Sequence, residues 1–205
     1  MCASPGSKTT QAAAMMENKG TIIANEVNLG RIRILNSNLE KSGVMNTIVT
    51  HKDGVQLCKR LNRKTKMKFD KILVDAPCSG EGTLRKSPKT FLMWNVKMIE
   101  KLSRVQKKLA SEAIKLLKVG GEMIYSTCTL SPEEDEEVVD YLLKEFDVEV
   151  EKISFDLKTR AGVVKWEGED YDKQVENCVR LYPQDNDTDG FFLAKIIKHS
   201  ERGCE

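Results

Sequence analysis

The sequence predicts an α/β fold in which a mostly parallel, doubly wound sheet carries helices on both faces. Short apolar segments typical of buried strands alternate along the chain with longer segments of helical periodicity. Acidic or cysteine residues follow several of these predicted strands, and ligands of such sheets bind beyond the carboxyl ends of the strands. The chain has 205 residues, of which 40% are hydrophobic, so one globular domain with a substantial core is expected.

The first half of the chain contains two predicted helices and three predicted strands. The helices are expected at 9–18 and 29–43, and the strands at 21–26, 46–50 and 70–77. Strong helix formers predict the first helix, and apolar residues at helical spacing predict the second. Gly20 and Gly43 are expected to end these helices, because glycine is favoured just past a helix C-terminus.

The second half alternates in the same way. A long amphipathic helix is expected at 95–118, closed by Gly120 and Gly121, and a strand follows at 122–128. Ser131 as N-cap, with Pro132 at the first helical position and Glu134 completing a capping box, predicts the start of the next helix. Three further strands are expected near 148–153, 178–182 and 190–197.

Composition limits where the protein works and what it binds. No run approaches the ~18 consecutive apolar residues of a membrane span, and the N-terminus lacks the basic-then-apolar pattern of a secretory signal. A soluble, cytoplasmic protein without membrane contact is therefore expected. The net charge is only +2, so a nucleic-acid partner can be argued from local basic patches alone.

The six cysteines are scattered, with no C-x-x-C spacing and only two histidines in the chain. This pattern predicts neither a metal site nor a disulfide framework. The default expectation for any one of them is a small buried hydrophobic residue. Cys78 and Cys128 stand out because Cys78 follows directly on one predicted strand and Cys128 ends the next.

Other candidate ligands also lie at predicted strand ends. The segment MCASPGSKTTQ, residues 1–11, is a small-residue loop that opens a helix, and its backbone N–H groups suit a carboxylate. Glu26 suits a pair of ribose hydroxyls, and Asp53 suits an exocyclic amine. Taken singly, either acid is explained equally well as a solvated turn residue.

The ordered combination of these segments resembles the RNA cytosine-5 methyltransferases of the Nop2/Sun/RsmB type. The resemblance covers nearly all of the chain, and its most specific parts are DAPCSGEGTLRK, STCTLSPEEDEEVVDYLL and RLYPQDNDTDGFFLAKI. It implies a Rossmann-like class I methyltransferase domain over 1–205. Family members carry a first strand and an RNA-binding segment before the loop, so the resemblance also implies that this chain lacks both.

The resemblance implies methyl transfer from S-adenosylmethionine to carbon-5 of cytosine in transfer or ribosomal RNA. Cys128 would be the nucleophile that adds to carbon-6, Cys78 would help to release the product, and Asp75 would hydrogen-bond the base. Thiolate addition is needed because carbon-5 is otherwise a poor nucleophile, and the adduct makes it enamine-like.

The resemblance also implies contacts to the methyl donor and to RNA. The expected donor contacts are Cys2, Ala3, Ser4, Pro5, Gly6, Ser7, Lys8, Glu26, Arg31, Asp53 and Asp75. Arg85, Lys86 and Lys89 follow the first cysteine loop and are expected to contact phosphates. The other basic stretch, 60–68, is interpreted as a solvated surface loop. A monomer is expected.

Several further residues have a preferred interpretation. The acidic run at 133–137 is expected to face solvent and stabilise a helix N-terminus. Core packing is preferred over base stacking for Trp94, Trp166 and Tyr171. The stretch 189–192 matches the family's final strand and is expected to shape the base pocket, although Gln184 stands where the family commonly has a histidine.

Two alternative functions stay open. One is an inactive fragment or RNA-binding module, which the two intact cysteines disfavour. The other is a DNA cytosine-5 methyltransferase, in which the cysteine after the proline is the nucleophile and the second cysteine is lacking. Cys128 argues against that class.

Overall fold

The computed structural model describes residues 1–204, and the chain divides into two compact units, Met1–Thr65 and Lys66–Glu205. Glu205, the last residue of the predicted domain, lies outside the described residues. The helices and strands alternate along the chain, so the predicted α/β class is confirmed.

The first unit has a parallel pair of strands and three helices. The elements are α1 (Ser7–Met15), β1 (Ile22–Glu26), α2 (Leu29–Lys41), β2 (Thr47–His51) and α3 (Gly54–Thr65). The strands are in register from Ile22 opposite Thr47 to Glu26 opposite His51. The Asn28 side chain accepts a hydrogen bond from the Arg31 N–H and so begins α2, as N-caps do. Leu35 and Leu39 of that helix pack on Ala24 of β1.

Helix α3 corrects the interpretation of 60–68 as a loop in part, because the helix extends to Thr65 and only 66–68 form a loop. Arg60, Arg63 and Lys64 lie on this helix, whose buried side includes Leu57 and Cys58. Asp53 begins it, because its Oδ1 accepts a hydrogen bond from the Gln56 N–H at 2.9 Å. The many basic residues of the segment favoured a loop in the prediction. The helix nevertheless has a narrow apolar stripe, and this stripe is enough to bury one of its faces.

The second unit contains a six-stranded sheet, a two-stranded hairpin and four helices among the described residues. The strands are β3 (Phe69–Asp75), β4 (Leu117–Thr127), β5 (Val148–Glu151), β6 (Arg160–Ala161), β7 (Lys165–Trp166), β8 (Glu169–Asp170), β9 (Val179–Leu181) and β10 (Phe191–Lys198). The helices are α4 (Lys89–Met93), α5 (Val96–Leu116), α6 (Glu136–Glu145) and α7 (Pro183–Asn186). Short 3₁₀ turns lie at Glu81–Thr83 and Lys173–Asn177.

The sheet order is β3-β4-β10-β9-β6, with β5 also paired to β10, while β7 and β8 form the hairpin. Strands β3 and β4 are parallel, as β1 and β2 are in the first unit. Strand β10 is antiparallel to β4, β5 and β9. The parallel arrangement therefore holds for the first four strands, and the C-terminal strands pair antiparallel.

The start of β4 differs from the prediction. Helix α5 ends at Leu116, and β4 begins at the next residue, so Gly120 and Gly121 lie in the strand rather than closing the helix. The register with β3 shifts between Phe69 and Lys71, and Gly120 has a φ of 77°. These glycines form the irregularity that the shift requires.

The start of α6 differs as well. The helix begins at Glu136, with Asp135 as its N-cap residue, so the predicted capping box at Ser131 is wrong. The Ser131 hydroxyl instead donates to Glu81, and the Glu134 carboxylate accepts from the Ser79 backbone. Contacts with another loop displaced the local hydrogen bonds that the sequence pattern predicted.

Among residues 1–204, none of the helices has both the length and the apolar character needed to cross a membrane.

Candidate active site

The two predicted cysteines lie together in the second unit. Strands β3 and β4 are adjacent and parallel, so the loops that follow them leave the sheet at the same edge. The Cys78 and Cys128 sulfurs are 3.1 Å apart, and the Cys128 N–H donates to the Cys78 Sγ at 3.3 Å. Both residues are partly exposed thiols, so a reactant can approach them.

Contact between the two sulfurs disfavours ionisation of Cys78. The hydrogen bond with Cys128, burial, and the negative charge of an ionised Cys128 together raise the pKa of Cys78 well above that of an ordinary thiol. The Cys128 N–H opposes this shift, and the carboxylate of Glu134 adds to it. Cys78 therefore keeps its proton at neutral pH.

Asp75 is held at the end of β3, beside the cysteine loops. It lies opposite Ser126 in the β3–β4 register, and the buried Ser126 hydroxyl donates to its Oδ1 at 2.9 Å. The residue is partly exposed. This bond fixes one carboxylate oxygen of Asp75 while the side chain stays accessible.

The buried carboxylate of Glu134 holds the Cys78 loop by hydrogen bonds. Glu134 accepts a hydrogen bond from the Ser79 N–H at 3.1 Å and one from the Gln106 Nε2 at 2.7 Å. The same Gln106 amide donates to the Pro77 carbonyl at 2.8 Å. Glu134 and Gln106 are fully buried, and burial raises the pKa of Glu134. Sequence reasoning missed both roles, because the contacts join residues far apart in the chain.

Further bonds tie the two cysteine loops to each other. The Ser79 and Thr129 hydroxyls are 2.7 Å apart, and the Gly82 N–H donates to the Cys128 carbonyl at 3.0 Å. The Gly82 carbonyl in turn accepts from the Gly190 N–H at 2.8 Å. A Cβ added at Gly82 would lie 2.8 Å from the Gly190 Cα, so only glycine fits this close crossing.

The acidic run does not face solvent as a whole, which corrects the sequence interpretation. Glu134, Asp135 and Glu136 are all buried. Arg180 of β9 compensates this charge, with its Nε 2.6 Å from the Glu136 Oε1 and its Nη1 bonded to the Leu130 carbonyl at 3.0 Å. Burial and the charge of Glu136 nevertheless raise the pKa of Asp135 well above its usual range. The sequence did contain one sign that this acidic run is buried, namely Arg180, an arginine within the otherwise apolar segment CVRLY.

In the first unit, three of the predicted donor residues come together. Glu26 is buried at the end of β1 and accepts from the Asn28 N–H at 2.9 Å and the Ser4 N–H at 3.4 Å. Arg31 lies 3.6 Å from the same carboxylate and donates to the Ser4 carbonyl at 2.7 Å. The loop is thereby fixed to the strand end.

The remaining donor candidates lie in the same loop, in α1, or at the start of α3. The Ala3 N–H donates to the Asn25 carbonyl at 2.8 Å, and Cys2 and Pro5 flank this part of the loop. Helix α1, which contains Ser7 and Lys8, begins after Gly6 without a side-chain cap. A Cβ at Gly6 would lie 2.8 Å from the Leu35 Cδ1, so the backbone here approaches α2 closely. The other candidate, Asp53, caps α3.

The predicted phosphate contacts lie on the surface of the second unit. Arg85 is paired with Asp187 at 2.6 Å and Lys86 with Asp189 at 2.7 Å, and Lys89 is exposed at the start of α4. Arg85 and Asp187 also line a shallow cleft with Pro183 and Gln184.

The interpretation of both tryptophans as core residues is wrong. Trp94 is 44% exposed and Trp166 is 39% exposed, whereas Tyr171 is half-buried. The Trp94 indole N–H donates to Glu81 at 2.5 Å, and that of Trp166 donates to Glu133 at 3.0 Å.

Comparison with known proteins identifies a consistent set of relatives. The family model described as 16S rRNA methyltransferase RsmB/F matches residues 1–197. The tRNA (cytosine(49)-C(5))-methyltransferase of Pyrococcus abyssi is 47% identical over 198 residues, covering 97% of this chain and 62% of the relative. Ribosomal RNA small subunit methyltransferase F of Vibrio cholerae is 40% identical over 202 residues, covering 97% of this chain and 40% of the relative.

Two solved structures agree with these matches. A methyltransferase homolog protein from Pyrococcus horikoshii superposes with a TM-score of 0.82 at 35% identity, over 96% of this chain and 59% of that one. The structure of NSun6 from Pyrococcus horikoshii with SFG gives a TM-score of 0.80 at 35% identity, over 98% and 47%. The chain thus spans between two fifths and just over three fifths of the length of these relatives.

Proposed function

The chain belongs to the RsmB/F family of methyltransferases, and from this premise we propose that it transfers a methyl group from S-adenosylmethionine to carbon-5 of a cytosine in RNA. The observation that carries the proposal is the pair of thiols, 3.1 Å apart, at the ends of two adjacent parallel strands. The relatives are named for methylation of transfer RNA or of small-subunit ribosomal RNA, and these are the proposed substrate classes.

Cys128 is the proposed nucleophile. Its sulfur forms a bond to carbon-6 of the cytosine, and the electron pair of the ring double bond moves away from carbon-6, which makes carbon-5 nucleophilic. The resemblance to the family assigns the attack to Cys128, and the 3.1 Å between its sulfur and that of Cys78 supports a division of roles, because both thiols can then reach the same base. The presence of Cys128 beside Cys78 disfavours the DNA-type alternative, in which Cys78 would attack and the second cysteine is lacking.

Cys78 is the proposed acceptor of the carbon-5 proton. Once Cys128 is bonded to the base, it no longer provides the hydrogen bond and the negative charge that raise the pKa of Cys78. Cys78 can then lose its proton to solvent and accept the one on carbon-5. The electron pair of that C–H bond restores the ring double bond, and the bond to Cys128 breaks with its electrons returning to sulfur.

Asp75 is proposed to orient the target base. Its carboxylate is positioned by the Ser126 hydroxyl and is partly exposed, so it can accept a hydrogen bond from the exocyclic amine of cytosine. Negative charge beside the amine also stabilises a proton on the neighbouring ring nitrogen as the adduct forms. A contact from Asp75 to the methyl donor stays a prediction.

The first unit contains the proposed residues for the donor. S-adenosylmethionine, when bound, supplies an electrophilic methyl group. The uncapped start of α1 offers backbone N–H groups to its carboxylate, and the loop at Gly6 has no room for a side chain. Glu26 accepts two N–H bonds and retains lone pairs for ribose hydroxyls. The relative solved with SFG, an analogue of S-adenosylmethionine, supports this donor.

A labelled-methyl assay tests the proposed function. The chain is incubated with S-adenosylmethionine labelled in its methyl group and with transfer RNA or small-subunit ribosomal RNA, and the RNA is digested to nucleosides. Labelled 5-methylcytidine is expected, and Cys128→Ala should yield none. Donor binding and RNA binding without any labelled nucleoside would favour the RNA-binding module instead.

A further inference from the structure

An exposed apolar segment lies directly beside the candidate active site. Between residues 84 and 96, the structure exposes Leu84, Phe91, Leu92, Met93, Trp94 and Val96. Phe91 is 74% exposed, and the five residues of α4 include no buried one. Aromatic and aliphatic side chains rarely lie together on a surface without a ligand or partner.

Trp94 is connected to both cysteine loops through Glu81. The Glu81 carboxylate accepts a hydrogen bond from the Trp94 indole N–H at 2.5 Å and another from the Ser131 hydroxyl at 2.8 Å. The neighbouring Gly82 N–H donates to the Cys128 carbonyl at 3.0 Å. The ring is therefore held by its edge next to the site, while 44% of the residue stays exposed.

The same segment concentrates positive charge. Residues 84–104 contain six basic side chains and one acidic side chain, giving +5, whereas the whole chain has a net charge of +2. The basic residues are Arg85, Lys86, Lys89, Lys97, Lys101 and Arg104. Arg85 and Lys86 pair with surface aspartates, and exposed ion pairs of this kind are weak enough for a phosphate to replace the carboxylate.

We propose that Trp94 and Phe91 form a stacking platform for the unpaired bases of single-stranded RNA that flank the target cytosine. Exposed indole and phenyl rings in a segment rich in basic residues match the alternation of bases and phosphates in a single strand. Extruding a target base leaves its neighbours unstacked, and an aromatic platform beside the site replaces part of the lost stacking. The inference rests on the proposed function for the presence of RNA at this site.

The platform can be tested by tryptophan fluorescence without any methyl transfer. Trp94 and Trp166 are the two tryptophans of the chain, so Trp166→Phe leaves Trp94 as the reporter. The probe is a short unstructured RNA with one cytosine among uridines, added without donor in a Cys128→Ala background. Quenching of the Trp94 emission is expected in the Trp166→Phe protein. The Trp94→Phe protein, which retains Trp166, should show little change.

Affinity measurements complete the test. Trp94→Leu should weaken binding of the same RNA by about tenfold, Trp94→Phe by only about threefold or less, and Phe91→Ala by an intermediate factor. Trp166→Leu is the matched control, since Trp166 is similarly exposed, and it should bind normally. Unquenched Trp94 emission at saturating RNA, or equal affinity for all four variants, would overturn the proposal. The quenching measurement keeps the test valid even if Trp94→Leu fails to fold.

The platform and the proposed function fail in different ways. If 5-methylcytidine forms but Trp94→Leu binds RNA normally, the platform is wrong and the function stands. If RNA quenches Trp94 and the affinity falls as expected, but no nucleoside is labelled, the platform stands as an RNA-binding surface and the proposed methyl transfer is wrong.

Discussion

At the residue scale, the chemistry depends on how one thiol alters its neighbour. The Cys78 and Cys128 sulfurs belong to two separate loops, and their contact is the largest cause of the raised pKa of Cys78. The motifs alone predicted that both cysteines matter. The raised pKa of Cys78 requires the sulfur–sulfur distance and the buried Glu134, which the sequence does not encode locally.

Substituting Cys128 should make Cys78 more reactive. In Cys128→Ala, the largest cause of the raised Cys78 pKa is removed, so more of Cys78 is ionised at mildly alkaline pH and alkylation by iodoacetamide should accelerate severalfold. Peptide mass spectrometry of the Cys78 peptide measures the rate. Buried Cys178 serves as the control and should stay unreactive in both proteins. An unchanged Cys78 rate would mean that burial alone suppresses its ionisation.

Asp75→Asn should preserve the fold and remove most activity. An asparagine oxygen can still accept from the Ser126 hydroxyl, so thermal stability should change little. The amide lacks the negative charge next to the base, and the rate of methyl transfer should fall by roughly 10²-fold or more. Single-turnover kinetics with saturating RNA separates this loss from weaker binding. Turnover near that of the wild type would exclude Asp75 from the mechanism.

At the scale of elements, the loops after β3 and β4 depend on backbone contacts with the start of β10. Strand existence was predictable because apolar runs and their flanking turn residues are local signals. The start of α6 was not predictable, because the side chains of Ser131 and Glu134 form hydrogen bonds with Glu81 and Ser79 rather than with their own helix. Local capping rules fail where a nonlocal partner satisfies the same atoms.

Gly82→Ala should disturb the crossing of these loops. The added methyl group would clash with the Gly190 backbone, which cannot move aside as a side chain can. Overpacking of this kind typically costs about 1–3 kcal/mol. Urea unfolding should show a loss in that range, together with slower methyl transfer. Gly43→Ala is the control for replacing a glycine without a steric clash. A Cβ at Gly43 has no atom within 4 Å, so only the positive φ of 64° is unfavourable there. Equal, small losses in both variants would contradict the tight crossing.

The buried acidic turn before α6 should make stability depend on pH. Because the pKa of Asp135 is raised in the folded state, the native protein binds this proton more tightly than the unfolded chain. Its contribution is therefore fully present below the ordinary aspartate pKa and is lost as pH rises through the raised value. Asp135→Asn removes this titration.

Unfolding free energies measured across acidic to neutral pH check this expectation. The difference between Asp135→Asn and the wild type should increase in favour of the variant as pH rises. Asp156→Asn, at an exposed position, is the matched control and should leave the pH dependence unchanged. A constant difference for Asp135→Asn would mean that Arg180 fully offsets the cost of burying the charge.

At the scale of the whole molecule, the sequence predicted the class of fold and the family better than it predicted which aromatic side chains are exposed. Alternating periodicity and the two cysteine motifs indicated an α/β methyltransferase, and the family match over residues 1–197 confirms it. Exposure of Trp94 and Trp166 was predicted wrongly, because large aromatic side chains are buried more often than not. Such exceptions are detectable only once packing is known.

The most direct test of the account is to trap the covalent link between protein and RNA. The wild type, Cys78→Ala and Cys128→Ala are each incubated with S-adenosylmethionine and substrate RNA and then run on a denaturing gel. Cys78→Ala should accumulate a protein–RNA adduct, because attack by Cys128 is intact while release is impaired. Cys128→Ala should form none. An adduct in Cys128→Ala but not in Cys78→Ala would exchange the two roles, and no adduct in either would contradict covalent catalysis by this pair.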